Sequence, residues 1–124
     1  FEVGWNNYPC LYVLKHSTDL LLELSIDKIE KHILDLGDYA VEELKKQGWP
    51  LLSSSIREER SGNISIPVRE GEKMMKELER KNIKVWGGDK RIRISIHFFN
   101  SVEDIDHLIN ALSGYVPQKL TMER

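Results

Sequence analysis

The chain has 124 residues, 31% of them charged, and a formal net charge of -2, a size that suits one domain with a modest core. The near balance of charge argues against a nucleic-acid binder, which needs a basic excess, and no apolar run approaches the ~20 residues of a membrane-spanning helix. No signal peptide is visible, and the single cysteine, Cys10, has no partner for an internal disulfide, which points to the reducing cytoplasm.

The chain opens on Phe1 rather than Met, so either an initiator is missing or this is a piece of something longer. Gly4, Asn6, Asn7 and Pro9 predict a loop over residues 1–10. Leu11 to Leu24 reads as a helix, with Leu14, Thr18, Leu21, Leu22 and Ser25 on one face and Leu20 and Leu24 widening it. Cys10, just before it, is expected to be a small buried hydrophobe. Ser25 is placed to cap a second helix running from Ile26 to Gln47. There Ile26, Ile29, Ile33, Leu36, Ala40 and Leu44 step by three or four, as a buried stripe does. Gly48 stands where a helix C-terminus wants a glycine, and Pro50 prevents continuation. His16 and His32 lie apart from each other and from Cys10, a spacing that suits surface positions rather than a metal site.

Leu51 to Ser55 predicts a short strand. Ile64, Ile66 and Val68 alternate after Gly62 and predict another, at a sheet edge because Pro67 has no N–H for a ladder. Glu70 to Lys81 predicts a third helix, with Met74, Met75 and Leu78 inward and the pairs Glu72–Lys76 and Glu77–Lys81 outward. Ile83 to Trp86 is a brief strand, and Gly87-Gly88-Asp89-Lys90 turns it into the next. In that last strand Ile92, Ile94, Ile96 and Phe98 alternate with Arg91, Arg93, Ser95 and His97, so one face is apolar and the other polar. Ser101 and Asp104 make a capping box for a final helix whose inner face is Val102, Ile105, Leu108, Ile109 and Leu112. Residues 115–124 read as a polar tail. The order of elements predicts a single α+β domain over residues 1–114: a small, mostly antiparallel sheet covered by helices and preceded by two long ones.

The polar strand face poses the functional question. Arg93 is either a solvated residue paired with a neighbouring carboxylate, or a planar fork that holds a ligand's carboxylate or phosphate through two parallel hydrogen bonds. Periodicity does not choose between them. Ser95 and His97 share its face, but no third group is placed to orient them as a nucleophile and base.

The stretch Arg93-Ile94-Ser95, His97-Phe98-Phe99-Asn100-Ser101, Glu103-Asp104-Ile105-Asp106 resembles the pattern L-R-I-S-P-H-F-Y-N-T-x-x-D-I-D that closes class V aminotransferase-type enzymes. These are pyridoxal-phosphate enzymes of fold type I, among them cysteine desulfurases and isopenicillin-epimerase-like proteins. Two further stretches match in order: Arg60-Ser61-Gly62-Asn63-Ile64-Ser65-Ile66 is similar to R-S-G-I-V-S-F, and Phe1-Glu2-Val3-Gly4 with Asn7 is similar to F-E-x-G-T-x-N. The resemblance runs from Phe1 to about Leu112.

It implies the small C-terminal domain of such an enzyme, with Arg93 gripping the substrate α-carboxylate and Trp5, Asn7, Ser95 and His97 as neighbours in the pocket. The Schiff-base lysine, the pyridinium partner and the phosphate cup belong to the family's large domain. No lysine of this chain takes that role, so the resemblance implies no bound cofactor and no activity for the chain alone. Trp5 stands where the family has a phosphate-binding Thr, and an indole has no hydroxyl to offer. The expected partners are the large domain and, through the apolar Leu11–Leu24 helix, a second copy in a homodimer. A free-standing binding or oligomerisation module of the same descent stays open as the alternative, as does an unrelated small enzyme using Arg93, Ser95 and His97.

Overall fold

A computed structural model describes residues 7–117, which divide into two compact units between Lys31 and His32. In the first, helix α1 (Tyr8–Leu24) begins three residues before the expected Leu11. The Asn7 side chain accepts the Cys10 N–H at 3.3 Å and Pro9 lies in the first turn, where its missing N–H has no intrahelical partner to lose. The Asn7/Pro9 pair is therefore a helix start, not a loop. None of the residues of α1 is buried, and Cys10 is exposed, not buried as expected. At Ser25 (φ 71°) the chain leaves α1 and enters α2 (Ile26–Lys46). Its N–H donates to the Leu22 carbonyl and its own carbonyl accepts the Ile29 N–H, so Ser25 joins the helices through its backbone.

From His32 onward the second unit is α+β. The α2 stripe becomes buried at Leu36, Ala40, Val41 and Leu44. Its end is a Schellman turn: Gly48 takes φ 81°, its N–H donates to Lys45, and the Trp49 N–H reaches back to Leu44. Residues 51–55 do not form the expected strand. The Leu52 N–H does donate to the Ser65 carbonyl, but the Ser65 N–H is taken by the Ser53 hydroxyl at 2.7 Å instead of by a backbone carbonyl. That side chain ends the ladder before it begins. A 3₁₀ turn, Arg57–Glu59, follows.

The sheet has three antiparallel strands in the order β1-β3-β2: β1 (Asn63–Pro67), β2 (Trp86–Gly88) and β3 (Arg91–Ser95). Pro67 ends the edge strand β1, as its missing N–H requires. The hairpin turn is Asp89-Lys90, both with positive φ, and the two glycines belong to β2 instead. A Cβ on Gly87 would sit 2.2 Å from the Gly71 carbonyl oxygen, at the start of helix α3 (Gly71–Glu79). The close approach of α3 to β2 is what draws these glycines into the strand. Glu77, expected to pair with Lys81, accepts the Tyr115 hydroxyl at 2.7 Å.

Helix α4 (Val102–Leu112) starts with Asp104 accepting the Ser101 N–H at 3.0 Å, the expected capping interaction. Val102 faces out, while Ile105, Leu108, Ile109 and Leu112 are buried. The core lies between the helices and one sheet face: Ile64, Ile66, Ile92 and Ile94 meet Leu36, Ala40 and Leu44 of α2, Leu78 of α3, and Leu108 and Leu112 of α4. Each of these leucines and isoleucines contributes about 1.5–3 kcal/mol on leaving water. On the other sheet face Arg91, Arg93 and Ser95 of β3 are exposed.

Candidate functional site

On that open face the register brings one row together: Ser65 of β1 opposite Arg93 of β3, and Arg93 opposite Trp86 of β2. The Arg93 guanidinium lies 5.4 Å from the centre of the Trp86 ring, and that of Arg91 lies 5.5 Å from it. Arg91 also pairs with Asp89 at 3.6 Å, whereas among the described residues Arg93 has no carboxylate partner.

The remaining expected site residues scatter. Ser95 stays on the face but donates to Asn63 at 2.8 Å, its register partner. His97 lies beyond the end of β3. Its N–H is held by the Asn100 side chain at 2.8 Å, and its ring lies 4.6 Å from both Phe98 and Phe99. Ser95 and His97 therefore have separate partners, and among the described residues no orienting acid reaches them. Asn7 sits in the other unit as the α1 cap, and Trp5 lies outside the described residues.

A second polar cluster escaped the sequence reading. Arg60 has a side chain only 1% exposed, and Asp38 of α2 binds both it and Arg57, which also reaches Asp35 at 2.9 Å. A Cβ on Gly37 would collide with the Arg60 guanidinium. A glycine in mid-helix beside Asp38 is the signal that something long and charged packs there. Elsewhere an open cleft of about 630 Å³ beside α3 and the hairpin turn is lined by Arg69, Lys73, Lys76 and Lys90 together with Glu70 and Asp89. Its mixed charge selects no ligand.

The sequence profile described as Aminotransferase class-V matches residues 1–108. The chain belongs to the class-V aminotransferase family. Among solved structures, the apo cysteine desulfurase of Thermococcus onnurineus NA1 superposes with a TM-score of 0.86 at 19% identity, over 92% of this chain and 32% of that one. A NifS-like protein gives 0.76 at 18% identity, over 90% and 34%. A putative aminotransferase from Burkholderia pseudomallei K96243 gives 0.55 at 26% identity, over 68% and 26%. No curated protein matches the sequence. The chain spans about a third of the length of the cysteine desulfurase and of the NifS-like protein.

The family's cofactor is pyridoxal phosphate, which needs a shielded lysine amine to hold it as a Schiff base. Every described lysine of this class-V chain is exposed, and none sits in an enclosed cavity beside Arg93. The described residues thus do not fit the cofactor by themselves.

Proposed function

We propose that this chain works as the C-terminal small domain of a class-V pyridoxal-phosphate enzyme, where it supplies the grip on the substrate's α-carboxylate. Arg93 forms two parallel hydrogen bonds to that carboxylate from the open sheet face. The lysine and the cofactor's phosphate cup come from the rest of the enzyme, and the chain alone is inactive. Ser95 and His97 border the same pocket, which a second subunit completes in a cytoplasmic homodimer. The observation that carries this reading is Arg93 itself: exposed, seated on a strand in the middle of the sheet, and without a carboxylate partner among the described residues. A structural arginine would have its acid in place.

The test is Arg93→Ala in the protein as its own gene encodes it, loaded with pyridoxal phosphate. Stability should change by less than about 0.5 kcal/mol in urea unfolding, as at an exposed site. Binding of amino acids measured by calorimetry should be lost. A large loss of stability with binding intact would make Arg93 a structural residue. The size of the native protein bears on the same reading, because a product about three times this length would match the share of the solved relatives that this chain covers.

One observation favours a second reading, a free-standing module that associates through α1. That helix carries Tyr12, Val13, Leu14 and Leu22, each more than 60% exposed. A native product of 124 residues that forms a stable dimer and binds no amino acid would support it.

A further inference from the structure

We infer that Trp86 is a positioning residue for Arg93: its indole carries the guanidinium on its π-face and so keeps the fork's N–H edge free and aimed for a carboxylate. The inference rests on the reading of Arg93 as the carboxylate clamp. Three observations point to it. Trp86 is the register partner of Arg93 across the β2–β3 pair, at a ring-to-guanidinium distance of 5.4 Å. It is 39% exposed on the polar face, so core packing does not account for it. Its ring also lies down along its own strand, because a Cβ on Gly88 would meet Trp86 Cζ2 at 2.9 Å and Cη2 at 3.0 Å. The glycine leaves room for the indole to lie along β2 next to Arg91 and Arg93.

The chemistry requires such a support. An arginine on an open strand face has many rotamers, and each one that points elsewhere weakens the clamp. A salt bridge would fix it but would occupy the N–H groups that the ligand needs. An aromatic face fixes it through the ring's quadrupole and uses none of them. Arg91, 5.5 Å from the same ring, adds positive potential next to the clamp while its own acid, Asp89, holds it.

The test uses L-alanine and L-alaninol, which differ only in the carboxylate, as probes of the protein as its own gene encodes it, loaded with pyridoxal phosphate. The readout is the ratio of their dissociation constants by calorimetry. The unaltered protein should prefer L-alanine, and Arg93→Ala should erase the preference. Trp86→Ala should reduce it by about 3- to 30-fold, the range expected for a cation–π support. Trp86→Phe should restore most of it. Trp86→Leu keeps a bulky strand residue without a π-face; it should behave as Trp86→Ala and serves in its place if that variant does not fold. An unchanged ratio in Trp86→Leu and Trp86→Ala, with Arg93→Ala still losing it, overturns the role of Trp86 and leaves the clamp. An unchanged ratio in Arg93→Ala, or no binding of either probe by the unaltered protein, overturns the clamp and this inference with it.

Discussion

Arg60 shows how little of a residue's role its sequence neighbours reveal. It opens the R-S-G stretch, and alternation there reports only the strand that follows. In the structure its side chain is almost wholly buried and meets Asp38, while Arg57, a third exposed, meets the same carboxylate. The two arginines differ in what they would leave behind. Truncating Arg60 opens a hole against Gly37 and removes packing along a buried stem. Truncating Arg57 releases an ion pair already in contact with water, where screening leaves little net gain. Arg60→Ala should therefore cost about 2–3 kcal/mol in urea unfolding and Arg57→Ala less than about 1 kcal/mol. Equal losses would mean that Asp38, not burial, sets the value of both. Arg93 is the opposite case. Its exposure and its alternation with isoleucines were legible, but whether an acid stood beside it depended on residues from two other strands. No local pattern reports those, and Trp86 went unread as its partner for the same reason.

At the level of elements, the long periodic helices and the alternating strands β1 and β3 were legible, whereas two shorter strand readings were not. The stripe of α2 and the cap of α4 follow from local chemistry. Residues 51–55 and 83–86 read as strands because apolar side chains suffice for that pattern, yet a strand needs a partner's backbone on both sides of the exchange. Ser53 interrupts one pairing with its hydroxyl, and the approach of α3 pulls the other along to Trp86–Gly88. The start of α4 carries a pH dependence. The Ser101 N–H and the Asn100 side chain hold the Asp104 carboxyl below its ordinary value of 3.8, and the Ser101 hydroxyl does the same for Glu103. A carboxyl with a lowered folded value contributes stability that is complete above the ordinary value and is lost as pH falls through the folded one. Melting curves between about pH 5 and pH 2 should therefore show the unaltered chain losing more stability than Asp104→Asn, which has no charge to lose. Parallel losses would mean that the cap acts through its shape alone. At the alkaline end Tyr39, raised to about 12 by its hydrogen bond to Asp106, ties α2 to α4. That contribution is complete below the phenol's ordinary value of 10 and is lost as pH rises through the folded one.

On the scale of the whole chain, the two units pose different physical problems. The unit from His32 onward holds the hydrophobic core, from Leu36 to Leu112. The first unit has α1, in which no residue is buried and in which Tyr8, Leu11, Tyr12, Val13, Leu14, Leu20 and Leu22 are exposed on every side of the helix. A helix this apolar with no buried residue marks an interaction surface. The fold class and the family were legible from the motifs near Arg60 and Arg93, which lie in the unit that holds the core, and nothing in the sequence of α1 names what it would pack against. The 124-residue chain alone should self-associate through this helix. Sedimentation at micromolar concentration should give a dimer or larger species, and Leu14→Glu with Leu22→Glu should return it to a monomer. The melting transition of the unit from His32 onward should be unchanged, since those leucines contribute nothing to its core. A chain that is monomeric without these substitutions would rule out association of α1 with itself and assign its apolar surface to the remainder of a longer polypeptide.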